Sequence, residues 1–198
     1  MKKMIVVVAA ALFALSFAGM SLADEQVLIT KGSANKPSIE KERLVSETAT
    51  VQGVDLATRI VTLKGPKGKV FDVKAGDEVR NLEQVKVGDQ VKAEYYQSIA
   101  VEVLTPGQAP GGIQASVELD RAKLGEKPAG IIGRQLTVTA KVEAINKTEM
   151  FVTLKGPEGK TLDVKVTDPK NLENVNVGDE VVITLTEAVA ISVEGVTN

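Results

Sequence analysis

Six aspartates are the residues of this chain whose type and spacing come nearest to acid–base chemistry. They are Asp72, Asp77 and Asp89, which a later segment repeats as Asp163, Asp168 and Asp179. Two carboxylates in one cleft can act as general acid and general base. The local sequence indicates other roles, because Asp72 and Asp163 alternate with apolar residues and should therefore face solvent.

The other repeated aspartates suit turns. Asp168 precedes a proline and can cap a short helical turn, and Asp89 and Asp179 each follow a glycine, where a short acid bonds the local backbone. We therefore predict no catalytic residue among the six.

Neither histidine nor cysteine occurs in the chain. Histidine is the usual general base and a common metal ligand, so its absence argues against serine triads and most transition-metal sites. The lack of cysteine excludes disulfides, thiolate nucleophiles and lipid attachment at a lipobox. No Asp-x-Asp-x-Asp spacing suits calcium. We predict no cofactor, no metal ligand and no enzymatic activity.

The segment Gly65–Lys69 is rich in glycine and lysine, as phosphate-binding loops are. It lacks their spacing and their Ser or Thr, and it lies between two predicted strands rather than before a helix. A hairpin turn is the better interpretation. Arg59, near the expected ligand face of this unit, is replaced by Met150 in the second one, so no polar site is maintained there.

Charge and aromatic content argue against nucleic acid as a partner. The formal net charge is −2 and aromatic residues make up 3% of the chain, which leaves neither a basic field nor a stacking platform. Of the two tyrosines, Tyr95 aligns with Leu185 and is predicted to join the core. Tyr96 aligns with Thr186 and is predicted to be the exposed aromatic.

An internal repeat organises the chain. Residues 62–69, Thr-Leu-Lys-Gly-Pro-Lys-Gly-Lys, recur as residues 153–160 with one difference, and 25 of the 55 pairs aligned across residues 48–103 are identical. Such similarity indicates a duplicated unit of about 58 residues.

Hydrophobic residues within the unit recur at every second position, which predicts strands. In the second copy the order is strand, strand, strand, a short helical turn near Asp168–Val175, strand, strand. We predict an all-β chain of two tandem five-stranded barrels, each OB-like or SH3-like, with the helical turn between strands 3 and 4.

The N-terminal 23 residues have the pattern of a signal peptide. Lys2 and Lys3 precede an apolar run of about 14 residues, and Ser21-Leu22-Ala23 suits cleavage. A bilayer-spanning helix needs roughly 20 residues, so we expect cleavage near Ala23, export to the periplasm and no membrane insertion of the mature chain.

The remaining boundaries follow from composition. We predict an N-terminal arm at residues 24–45, repeat 1 at 46–104, a linker at 105–135 and repeat 2 at 136–198. The apolar positions of Ile113–Leu124 suit a strand or a short helix, and Val27-Leu28-Ile29 could add an edge strand.

The repeated Thr-Leu-Lys-Gly-Pro-x-Gly-Lys motif, the later Val-Gly-Asp and the link Lys127–Arg134 resemble those of uncharacterised proteobacterial exported proteins with tandem small barrels. The strand layout is more remotely similar to periplasmic copper- and silver-binding OB-fold proteins. Those proteins bind metal through histidine, methionine and tryptophan, and here only Met150 remains in the predicted barrels.

These observations favour a non-enzymatic binding or structural module of the periplasm, whose partner is another envelope protein or an envelope polymer. The alternative is a carrier of a small ligand or metal ion in a cleft between the two barrels.

Overall fold

The structure, a computed structural model, describes residues 25–31 and 36–195. The predicted signal peptide lies outside the described residues. Ten strands are β1 (Glu25–Lys31), β2 (Pro37–Asp55), β3 (Ile60–Lys64), β4 (Val70–Lys74), β5 (Gln90–Leu104), β6 (Ile113–Arg121), β7 (Ala129–Asn146), β8 (Phe151–Lys155), β9 (Thr161–Lys165) and β10 (Glu180–Glu194).

All ten strands belong to one antiparallel sheet. Its order is β4-β3-β2-β5-β10-β7-β8-β9, with β1 beside β2 and β6 beside β7. The predicted all-β class is therefore confirmed. Within the described residues, no helix has the length and apolar character needed to cross a membrane.

The short hairpins follow the alternation in their sequence. In β8, Val152 and Leu154 are buried while Thr153 between them is not, as period-two patterning requires. The turn at Gly65 is closed by its N–H, which donates to the Lys69 carbonyl at 2.9 Å. Gly68 has a φ of 78°, which glycine adopts without strain. The predicted hairpin turn is confirmed.

A 3-10 turn follows the hairpin in each copy, at Leu82–Gln84 and at Pro169–Leu172. The Asp168 side chain caps the second turn by accepting from the Lys170 N–H at 3.0 Å, as predicted. Leu82 and Leu172 are buried and each joins one hydrophobic core.

The predicted separation of strands 4 and 5 in each copy was wrong. The chain runs without a turn through β5 and through β10, each of which is 15 residues long. The two pair over their whole length, from Gln90 opposite Glu194 to Leu104 opposite Glu180. Sequence alternation does not distinguish a hairpin from one long strand, because period-two patterning continues through both.

The long strands exchange their ends between two hydrophobic cores. The first core contains Val51, Leu63 and Leu82 of copy one, and Val193 at the end of β10 packs against it. The second contains Val142, Leu154 and Leu172 of copy two, together with buried Val103 at the end of β5. Val103 and Val193 are equivalent in the repeat, so each copy completes the core of the other.

The segment assigned to the linker contains strand β6 and the beginning of β7. The segment assigned to the N-terminal arm contains β1 and the beginning of β2, in which Val27-Leu28-Ile29 forms part of the edge strand. Lys36-Pro37 lies at the start of β2, with Pro37 as its first residue, and the equivalent Lys127-Pro128 directly precedes β7. The duplicated unit therefore includes an additional first strand and is longer than 58 residues.

Candidate functional site

The repeated aspartates lie in different surroundings. Asp72 and Asp163 are exposed, and each accepts a hydrogen bond from a threonine on the neighbouring strand, Thr62 at 2.7 Å and Thr153 at 2.6 Å. Asp77 is exposed as well. The predicted solvent-facing role of Asp72 and Asp163 is confirmed.

Asp89 and Asp179 are buried, with 4% and 3% of their surface exposed. Each carboxylate accepts from a backbone N–H three residues earlier, Lys86 at 2.9 Å and Asn176 at 2.7 Å. The predicted bonding of these two acids to their own turns is confirmed, whereas their burial was not predicted.

A lysine of the opposite copy pairs with each buried aspartate. Lys36, itself 6% exposed, donates to the Asp179 carboxylate at 2.5 Å and to the Asn174 carbonyl at 2.9 Å. Lys127 likewise pairs with Asp89. Because Lys36 and Lys127 occupy equivalent positions, the two ion pairs are reciprocal and fasten each copy to the other.

The pKa of Asp89 lies below its usual range. Burial acts to raise it, but hydrogen bonds from the Lys127 ammonium and the Lys86 N–H, with the positive charges of both lysines, outweigh that effect. A carboxylate that stays ionised and paired cannot serve as a general acid near neutral pH. The contacts of the pair join the turn at Asp89 to the segment before β7.

A polar row crosses the centre of the sheet, from Arg43 on β2 through Gln97 on β5 and Glu187 on β10 to Arg134 on β7. Glu187 accepts from the Arg134 guanidinium and from the Gln97 amide at 3.3 Å. The hydroxyl of Tyr95 donates to the same carboxylate at 3.2 Å. Burial and the negative charge of Glu187 raise the pKa of Tyr95.

Arg59 has a local role. Its guanidinium donates to the carbonyls of Ala75, Gly76 and Val79 at 2.6 to 3.1 Å, and so closes the loop after β4. Met150, at the equivalent position, packs against the second core instead. Both residues have a positive φ. The two copies therefore share the backbone turn at this position, although the two side chains make different contacts.

Tyr96, predicted to be the exposed aromatic, is half-buried. It lies on the face that carries the even-numbered residues of β2, β5 and β10 and the odd-numbered residues of β7, which we call the outer face. Leu44 and Ala188 are its direct cross-strand neighbours. From Tyr96 toward β7, the next residues of this row are small, namely Ala188 on β10 and Gly133 on β7.

Strand β6 is exposed along its whole length. All nine of its residues are exposed, including Ile113 at 55%, Val117 at 70% and Leu119 at 60%. Within the described part of the chain, β6 pairs with β7 alone. Its other edge is therefore open, which is unusual for an apolar strand of this length.

The hydrogen bonds at the ends of β6 show which residues face that open edge. The Gly112 carbonyl accepts from Thr139 at 2.9 Å, and the Ala122 N–H donates to Ala129 at 2.8 Å. Because every second residue of an antiparallel pair is hydrogen-bonded, the even-numbered residues of β6 bond to β7. Odd-numbered residues such as Val117 turn their N–H and C=O outward.

A groove of about 570 Å³ runs along the outer face beside β6. Ser116, Gly133 and Ala188 form a low floor, and Glu118 and Asp120 stand along its β6 side. In copy one, Glu42 and Ser98 occupy the positions of Gly133 and Ala188. The low floor is thus specific to copy two.

Within residues 25–31 and 36–195, no three or more Asp or Glu side chains gather in a way that would hold a metal ion. No protein-family model, no curated protein and no solved structure matches the chain.

Sequence reasoning did not single out β6 as a site. The signal was present, because Ile113, Ala115, Val117 and Leu119 alternate with polar residues. What the alternation cannot show is that one edge of the strand has no partner, since strand order is a property of the whole sheet.

Proposed function

We propose that this chain is a non-enzymatic binding module of the periplasm that captures an extended segment of another envelope protein by strand addition to β6. The single observation that carries the proposal is the open, apolar edge of that strand. An added strand would bond to the outward N–H and C=O groups and cover the apolar side chains.

Comparison with the other edges supports this proposal. Among the strands described, the others that pair on one side only are β1, β4 and β9, but they are seven, five and five residues long and each ends in a lysine, a common way to keep an edge from pairing. β6 is nine residues long, has no lysine, and exposes three large apolar side chains. Pairing with a further strand would remove these apolar side chains from water.

Two parts of the proposal come mainly from the sequence. The basic start, apolar run and small-residue site of residues 1–23 support export to the periplasm. The order of strands and 3-10 turns supports an OB-like or SH3-like barrel around each core, completed by the strand end that the other copy supplies.

Carriage of a small ligand or metal ion between the two copies has less support. The charged groups described there already pair with one another, as Lys36 does with Asp179 and Arg134 with Glu187. A ligand would have to displace these partners, and displacing Lys36 would leave the buried Asp179 carboxylate without its cation.

Site-specific photocrosslinking in the cell tests the proposed function. A photoreactive residue replaces Leu119 on β6 or, as a matched control, Leu162, which is 65% exposed on edge strand β9. We expect one defined envelope protein to be crosslinked at residue 119 and not at residue 162. Osmotic-shock fractionation of the same cells locates the protein.

The edge itself is tested in the same experiment by Val117→Pro. Proline removes one outward N–H and leaves the bonds to β7 in place, so the adduct at residue 119 should be lost. Thr161→Pro, at an outward position of β9, should leave it intact. Equal adducts at residues 119 and 162, or an adduct that survives Val117→Pro, would overturn the proposal.

A further inference from the structure

We infer that the segment captured by β6 alternates apolar and basic residues, and that its basic side chains extend over the groove on the outer face. This inference rests on the proposed function and specifies its partner. It combines the apolar stripe, the acidic side chains and the small-residue floor.

The two faces of β6 differ in chemistry. Ile113, Ala115, Val117 and Leu119 share the core-side face of the sheet, and their exposed apolar surface calls for apolar cross-strand neighbours. The outer face carries Glu118 and Asp120, which are both exposed. Opposite charges on facing strands are favourable and like charges are not, so the outer-face residues of the partner should be basic.

The groove explains why long basic side chains fit. Gly133 lies directly opposite Glu118 on β7 and Ala188 lies opposite Gly133 on β10, so no bulky side chain rises from this row until Tyr96 on β5. A lysine or arginine on the added strand, about 4.8 Å beyond β6, can pass its aliphatic stem over Ser116 and bring its cation beside Glu118 and Asp120 at the edge of this floor.

A second copy of the chain suits the same edge less well. In an antiparallel self-pairing centred on Val117, Ser116 would lie opposite Glu118 and Gln114 opposite Asp120. Such a pairing brings four acids to one face without any cation and leaves the groove open. The charge pattern therefore favours a basic partner.

Three synthetic peptides of equal length test the inference on the mature full-length protein. One alternates lysine and valine, one alternates glutamate and valine, and one has the lysines and valines in two blocks. Fluorescence anisotropy should show the tightest binding for the alternating lysine peptide, and this binding should weaken as salt is added.

Charge and edge are separated by two sets of variants. Glu118→Gln combined with Asp120→Asn should weaken binding of the alternating lysine peptide by up to about tenfold, since exposed ion pairs are weak individually. Val117→Pro should abolish binding of every peptide, with Ala115→Pro as a second outward position if that variant folds poorly. Gly133→Leu, whose Cβ would meet nothing closer than 3.9 Å, fills the groove and should also weaken the lysine peptide.

Hydrogen exchange identifies the mode of binding. The outward amides of Ala115, Val117 and Leu119 should become protected by the lysine peptide, whereas the amide of Ser116 is already bonded to β7. If Val117→Pro abolishes binding but the glutamate peptide binds as well as the lysine peptide, strand addition stands and the basic partner is overturned. If Val117→Pro changes nothing, both proposals fail. If the free protein is a dimer and Val117→Pro dissociates it, the proposal of a basic peptide partner is overturned and a second copy of the chain is the partner of β6.

Discussion

Gln97 and Glu187 are equivalent residues of the two copies, and they lie directly opposite each other where β5 pairs with β10. A pseudo-twofold axis therefore passes between them. Arg43 and Arg134, also equivalent, flank the pair on β2 and β7. Between the two copies, the charge in this row differs only at this pair, where copy one has Gln97 and copy two has Glu187. A second glutamate at residue 97 would place two carboxylates opposite each other, and they would repel.

Exchange of these two residues should preserve stability. Gln97→Glu alone places like charges opposite each other, which Arg43 beside residue 97 offsets only in part, and should lower the free energy of unfolding by up to about 1 kcal/mol. Gln97→Glu combined with Glu187→Gln moves the carboxylate beside Arg43 and should recover most of that loss. Urea unfolding of the single and double variants at neutral pH measures both. If the double variant has the same low free energy of unfolding as Gln97→Glu, then Arg43 does not stabilise a carboxylate at residue 97 as Arg134 stabilises Glu187, and the two arginines are not related by the axis.

Loss of Lys36 should be among the more damaging changes to a charged residue. Lys36→Met leaves the Asp179 carboxylate buried without its cation, which costs about 3–5 kcal/mol when a buried pair is broken. Lys127→Met should cost less, because the Lys127 side chain is 31% exposed and water can replace it. Urea unfolding compares the two variants directly. An equal loss in both would contradict the different burial of the two pairs.

The pair at Asp89 should make stability depend on acid pH. Its pKa in the folded state lies below the unfolded value of about 3.9, so the stabilisation is present above that value and is lost as pH falls through the folded pKa. The destabilisation caused by Asp89→Asn should therefore be largest near pH 7 and shrink below about pH 4. Unfolding free energies across this range test the sign. A difference that does not change with pH would rule out the linkage.

Glu187 should control the ionisation of Tyr95. Burial, followed by the negative charge of Glu187, raises the pKa of this tyrosine above its usual value of about 10. In a Tyr96→Phe background, Glu187→Gln should move the titration of Tyr95 to lower pH. Near-ultraviolet absorbance follows the phenolate. The stabilising contribution of Tyr95 is present below about pH 10 and is lost as pH rises through the raised pKa.

Val103 should matter more to copy two than to its own copy. Val103→Ala removes two methyl groups from the second core and should cost about 2 kcal/mol. Native-state hydrogen exchange should show faster exchange in β8 and β9, with β3 and β4 less affected. Val193→Ala is the matched variant and should show the opposite pattern. Faster exchange confined to β3 and β4 in Val103→Ala would contradict the exchange of strand ends.

Much of the local structure could be predicted from the sequence. The short hairpins, the cap at Asp168 and the turns at Asp89 and Asp179 each depend on a few neighbouring residues, and the structure has them where the sequence indicates. Alternation through Val101, Val103, Ile191 and Val193 also showed correctly that these stretches are strands.

The long-range arrangement could not be predicted in this way. Val193 belongs to copy two by sequence but packs against copy one, and nothing in its alternation identifies which core it enters. Lys36 and Asp179 are 143 residues apart. Their pairing, like the open edge of β6, depends on the order of strands in the complete sheet, which local patterns do not encode.

The exchange of strand ends also bears on how the chain would respond to being cut. The connection between the copies includes Gly111 and Gly112, both with positive φ and exposed to solvent. Cleavage there would leave all 15 residue pairs between β5 and β10 intact, with the ion pairs of Lys36 and Lys127 on either side. The two fragments would remain assembled as a heterodimer, so the peptide connection contributes proximity during folding more than it holds the finished molecule together.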